Sequence, residues 1–140
     1  ITSKFTSKVS LGIADYPMCR LAEAYLIEAE CLLKGSQPDV VKGLQILNAL
    51  RVKRGESQLT SAQFTSDEIW KERRRELYGE GFALSDIKRL QKPLERVGEE
   101  HWSDVITLPA NSPRMMFPIP ADELDYNKSA TSDDQNEYWR

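Results

Sequence analysis

The acids of the central stretch recur every four residues, at Glu68, Glu72, Glu76 and Glu80, with Lys71, Arg73, Arg74 and Arg75 between them. Two carboxylates flanking a glycosidic bond are the minimum for cleaving a sugar chain, so the spacing raises that chemistry first. Acids spaced by four and interleaved with bases also neutralise one another along a helix, and ion pairing accounts for the whole pattern. At about 100° per residue, Ile69, Leu77, Leu84 and Ile87 share one side of a helix, and Arg73 and Glu80 fall in the middle of that side. Ionised side chains are rarely buried unless paired. The pattern therefore predicts an internal ion pair of Arg73 with Glu80, and with Glu76 as a further partner.

Other reactive residues are sparse. His101 is the sole histidine, it lies beside Trp102, and no G-x-S-x-G nucleophile elbow is present to use it. Cys19 and Cys31 stand twelve apart in one expected helix, a separation of roughly 18 Å at 1.5 Å per residue. That is too far for a disulfide, and with a single distant histidine the set does not make a zinc site. Gly79 and Gly81 lack the strand–turn–helix setting of a phosphate loop. No cofactor, metal or catalytic group is expected, and the chain is read as not an enzyme. Aromatic faces are the remaining candidates for binding: Trp102 first, then Trp139 or Tyr138, could stack on a sugar ring or a partner. Each of the three equally suits a plug over a local core.

These residues sit in 140 residues that are 40% hydrophobic and 29% charged, enough for a single domain or a fragment of a larger one. A net charge of -3, with bases interleaved among acids, gives no footprint for nucleic acid. No run approaches the roughly 20 apolar residues of a membrane span. Ile1 is not an initiator methionine, so the chain is expected to continue upstream, where any targeting signal would lie.

Four stretches are expected along the chain. Residues 1–17 form an extended arm, ending where Tyr16-Pro17 blocks a helix. Residues 18–55 form a helical hairpin: Leu21, Ala22, Tyr25, Leu26, Ala29, Leu32 and Leu33 set one helix closed by Gly35, and Val40, Val41, Leu44, Leu47 and Leu50 set the next, capped by Asp39 and ending at Gly55. The hairpin is close in length to a 34-residue tetratricopeptide unit. Folding it about Ser36 and Gln37 puts Glu23 opposite roughly residue 50, which predicts a Glu23–Arg51 bridge. A third long helix covers 65–91 and starts from a capping box at Thr65 and Glu68. Gly81 interrupts it for a packing neighbour, with a break near Tyr78 to Phe82 as the competing reading. Residues 92–140 are loop-rich, with a possible strand pair of Val105–Leu108 with Arg114–Phe117 and a single helical turn at Ala121 to Leu124. The expected fold is mainly α: a tetratricopeptide-like hairpin, a third long helix and a long irregular C-terminal region.

Three ordered stretches carry a resemblance. Arg20-Leu21-Ala22-Glu23-Ala24-Tyr25-Leu26, continuing to Ala29-Glu30, is similar to an RLAE-x-YL-x-x-AE helix. Leu47-Asn48-Ala49-Leu50-Arg51 through Gly55, then Glu72-Arg73 and Glu76-Leu77, Glu80-Gly81 and Asp86-Ile87-Lys88-Arg89, is similar to LN-x-VR-x-R-x-G, ER-x-x-EL, EG and DLKR. Phe117 to Leu124 with Asn127 and Gln135-Asn136 is similar to a closing PIP-x-x-E, N and QN. Together they resemble the C-terminal portion of the SusD family (RagB/SusD), nutrient-binding lipoproteins of the outer membrane. Ala83 and Leu90 stand where that family usually carries a basic residue and an aromatic.

The resemblance implies non-catalytic glycan binding, or less commonly peptide binding, at the cell surface. It also implies a lipid anchor upstream of this chain and delivery of the ligand to a SusC-like TonB-dependent transporter. Most of the glycan or oligosaccharide site would lie in the missing N-terminal part, so no ligand residue carries over. The charged residues Arg73, Glu80, Glu76, Glu23 and Arg51 would then be structural. The alternative is a helical-repeat module that binds another protein and no small molecule.

Overall fold

The structure, a computed structural model, describes residues 18–97 and 107–140. The expected arm at 1–17, His101 and Trp102 lie outside the described residues. The chain divides into two units, Ile1–Leu77 and Tyr78–Arg140.

In the first unit, α1 (Leu21–Lys34), α2 (Val40–Lys53) and α3 (Ser66–Glu76) follow the apolar period of the sequence. Helix α1 begins three residues later than expected, with Arg20 as its extended N-cap. Gly35 closes it in extended backbone (φ -67°, ψ 175°) rather than left-handed backbone, its N–H donating to the Cys31 carbonyl at 2.7 Å. The Asp39 carboxylate accepts from the Lys42 N–H at 3.0 Å and caps α2, and the Thr65 hydroxyl accepts from the Glu68 N–H at 3.3 Å and caps α3. Lys42 meets Glu28 at 3.2 Å, and a side chain added at Gly43 would meet Leu32. The start of α2 lies beside the end of α1, where the Asp39 N–H donates to the Leu32 carbonyl at 2.9 Å, and Arg54 at its end shares the Glu76 carboxylate with Arg20 at the start of α1, so the two helices run antiparallel, as the short connection predicts.

Their shared core is Ala22, Leu26, Ala29, Leu47 and Leu50, closed by Phe64 and Ile69. Gly43 lies under Phe64, where a Cβ would come within 2.9 Å of the ring's Cζ and 3.2 Å of the Leu32 Cβ. A glycine inside a helix costs about 1 kcal/mol relative to alanine. Here it makes room for a buried aromatic.

The single helix expected over 65–91 is instead two helices, α3 and α4 (Phe82–Arg89). Gly79 and Gly81 adopt φ of 76° and 85° in the step between them, a backbone region that glycine alone enters without strain. A Cβ at Gly81 would meet nothing within 4 Å, so the expected close neighbour gives way to a conformational requirement.

In the second unit Leu94–Glu95 (β1) pairs antiparallel with Thr107–Leu108 (β2). The strand partner expected at 114–117 is therefore wrong. Pro113–Met115 forms a 3₁₀ turn instead, because Ser112 accepts the Arg114 N–H and proline starts the turn. Helix α5 (Ala121–Tyr126) and 3₁₀ turns at Ser132–Asp134 and Glu137–Trp139 complete it. Among the described residues no helix is long and apolar enough to cross a membrane.

Candidate functional site

Helix α3 presents Glu72 and Glu76 one turn apart to Arg51 and Arg54, which end α2. The Arg51 Nη1 donates to the Glu72 carboxylate, and both side chains are buried. The Arg51 Nε also donates to the Ser57 carbonyl at 2.7 Å. Arg75 adds a second donor to Glu72 from the same helix. Next along, Glu76 takes two parallel bonds from Arg54, Nε to Oε2 and Nη2 to Oε1, each 2.8 Å. From the start of α1, Arg20 donates to the same carboxylate at 2.9 Å and to the Glu76 carbonyl at 2.6 Å.

One residue thus ties the start of α1, the end of α2 and the end of α3. The Arg54 hydrogen bonds hold the Glu76 carboxyl below its usual range; burial opposes them, and Arg20 adds to them. Reciprocally, Glu76 holds the Arg54 guanidinium above its ordinary value. The bidentate Arg54–Glu76 contact fixes the geometry of both groups as well as their charge.

Arg51 is buried in an ion pair, but its partner is Glu72, with Glu56 at 3.8 Å, and not Glu23. Equal height along a hairpin says nothing about direction around the helix, and Arg51 is turned toward α3. Glu23 occupies the first turn of α1, where an acid complements the helix dipole. Arg73 is buried on α3, and Glu80 is half-buried in the glycine step that opens the second unit. Because α3 ends at Glu76, the helical phase that put Arg73 and Glu80 on one face does not run between them. Trp70 is half-buried under the Arg74 guanidinium, which lies 5.0 Å from the ring centroid. Arg20 and Arg54 were the network members that sequence reasoning missed. The available signal was the three-residue step of Arg51 and Arg54 facing the four-residue step of Glu72 and Glu76.

Two open hollows flank α2. One, of ≈ 540 Å³, is lined by Leu21, Ala22, Tyr25, Ile46, Ala49 and Leu50, with Lys53 and Arg54 beside them. The other, of ≈ 590 Å³, runs along Val41, Leu44 and Val52 with Asn48 and Gln58. Both are apolar grooves along helices, the shape that accepts another helix. Among the described residues no group of His, Cys, Asp and Glu could hold a metal ion, and both cysteines are exposed thiols.

The second unit presents aromatic rings. Tyr138 and Trp139 sit edge to face with centroids 5.0 Å apart and planes at 87°, each 45% exposed. The Trp139 Nε1 donates to the Met116 carbonyl at 2.9 Å, and the Arg114 guanidinium lies 4.7 Å from the Tyr138 centroid. Buried Gln135 fixes the proline-flanked Ile119, accepting its N–H at 2.8 Å and donating to its carbonyl at 3.0 Å. Asn136 donates to the Phe117 carbonyl. The closing PIP and QN stretches of the sequence thus hold each other.

A family model described as the SusD family matches residues 2–139. Two solved structures are similar. A SusD superfamily protein from Bacteroides vulgatus ATCC 8482 is 34% identical, with a TM-score of 0.70 over 86% of this chain and 27% of that one. Another from Bacteroides thetaiotaomicron VPI-5482 is also 34% identical, with a TM-score of 0.71 over 84% of this chain and 27% of that one. The chain therefore spans about a quarter of the length of each. No curated protein matches it.

Proposed function

As the chain belongs to the SusD family, we propose that it is the C-terminal part of a surface lipoprotein that captures glycans at the outer membrane without transforming them. In this reading the captured glycan passes to a SusC-like TonB-dependent transporter, and a lipid anchor upstream of residue 1 holds the protein at the surface. The observation that carries it is the family match over residues 2–139. The ladder of Arg51, Arg54, Glu72 and Glu76 agrees with a scaffold role for this segment. The coverage of 27% of each solved relative supports placing most of the ligand site upstream. Under the same proposal, Arg73 and Glu80 stabilise the scaffold as a charge pair. A melting temperature unchanged in Arg73→Ala would remove that assignment.

The test is binding of soluble polysaccharides by the full-length protein and by residues 1–140 alone, read by calorimetry. Full-length protein is expected to bind, with the 140-residue piece weaker by about tenfold or more. Equal affinity would move the whole site into this chain, and absence of binding by the full-length protein would defeat the glycan reading.

The apolar grooves on α2 favour a second reading, a helical-repeat surface that binds another protein. It would be supported if residues 1–140 alone captured a helical peptide along Tyr25, Ile46 and Ala49 while the full-length protein bound no glycan.

A further inference from the structure

We propose that Tyr138 and Trp139 form a sugar-stacking subsite, Trp139 offering its indole face to a hexopyranose ring of the captured glycan; this rests on the glycan-binding reading above. Each ring leaves 45% of its surface in water, yet both are fixed in place. Trp139 is tethered through its Nε1 to Met116, and Tyr138 is held between the Arg114 guanidinium and the Trp139 ring. The turn that carries them is pinned as well. Arg140 donates from Nε to the Gln135 carbonyl at 3.0 Å and from Nη2 to the Asp133 carbonyl at 2.8 Å. A ligand that stacks here does not have to order the side chains it meets.

The chemistry narrows the ligand. With its only donor committed to Met116, the indole recognises through its face alone. A hexopyranose supplies the matching surface, because its axial C–H bonds form an apolar plane while its hydroxyls point outward. The Arg114 guanidinium at the Tyr138 ring carries further N–H donors for those hydroxyls. A purely apolar partner would desolvate Arg114 at a cost.

The experiment uses full-length protein labelled with 5-fluorotryptophan, titrated with maltohexaose, cellohexaose and galactohexaose and followed by ¹⁹F NMR and calorimetry. The Trp139 resonance is assigned by its loss in Trp139→Phe. A sugar that binds is expected to shift that resonance. Its Kd should weaken by about tenfold in Trp139→Ala, the order of one stacking contact, and by less in Trp139→Phe, which keeps an aromatic face. Trp139→Phe also keeps the test open if the alanine variant fails to fold. An oligosaccharide that binds tightly with the Trp139 resonance unmoved and the Trp139→Phe and Trp139→Ala affinities unchanged overturns the subsite and leaves the glycan reading intact. Binding of none of the three overturns both.

Discussion

The two units of this chain are held by different forces. The first buries a contiguous apolar core from Ala22 to Ile69 and sets a line of guanidinium–carboxylate contacts beside it. The second has few buried apolar side chains among its described residues, Ile87 and Met115 being the buried ones. It is ordered mainly by polar side chains that bond to backbone. One device is common to both: the Asn48 amide brackets the Leu59 N–H and carbonyl at 2.8 and 3.0 Å, as Gln135 brackets Ile119. What differs is whether that bracket supplements a core or stands in for one.

The sharpest way to break this contrast is at the buried pair. Arg51→Ala leaves Glu72 buried without its principal partner and is expected to cost about 3–5 kcal/mol. Amide exchange should rise across α1 to α3. Protection there that stays at wild-type levels would mean that the apolar core alone holds the first unit.

Glu76→Gln comes next, at about 2 kcal/mol near neutral pH, since hydrogen bonds to charged groups contribute about 1.5–3 and the half-exposed Arg54 discounts its share. The sign follows from a folded carboxyl held below its usual range. Its stabilisation is complete above the ordinary carboxylate value and is lost as pH falls through the lowered one. Urea unfolding at several pH values should show the gap between wild type and Glu76→Gln wide at pH 7 and closing in acid. A gap independent of pH would count against the assignment.

In the second unit Gln135→Ala should cost about 1–2 kcal/mol by stranding the Ile119 backbone groups. The loss should appear as faster exchange at Ile119 with α1 to α3 unchanged. The smallest effect is the most diagnostic in sign. Gly43→Ala would ordinarily gain about 1 kcal/mol in a helix, but contact with Phe64 and Leu32 should turn that into a net loss of about 1 kcal/mol. A raised melting temperature would show that Phe64 can move aside.

The same division explains what could be read from the sequence. Helices α1 and α2 and their caps at Gly35 and Asp39 follow from period and end signals, because burial imposes a 3.6-residue rhythm on the chain. The 65–91 period reads as one helix, whereas α3 ends at Glu76 and Gly79 and Gly81, with positive φ, flank Glu80 in the step that follows. Glu23 was matched to Arg51 by height, which leaves azimuth undetermined. Leu94–Glu95 as the strand partner, and the Gln135–Ile119 bracket, are contacts between distant residues with no period to announce them. Among the candidate binding aromatics, Tyr138 and Trp139 were visible as residue types, but their fixed edge-to-face arrangement was not.

The shared carboxylate of Glu76 also sets an order of events. Its Arg54 contact closes a loop of 22 residues and its Arg20 contact one of 56. At (3/2)RT ln n, the longer closure costs about 0.8 kcal/mol more in chain entropy. That difference predicts that α3 captures the end of α2 before the start of α1, with Arg20 a latch that shuts after folding is committed. Arg20→Gln should accordingly speed unfolding while leaving the refolding rate nearly unchanged, and a slowed refolding arm would place the latch ahead of the barrier.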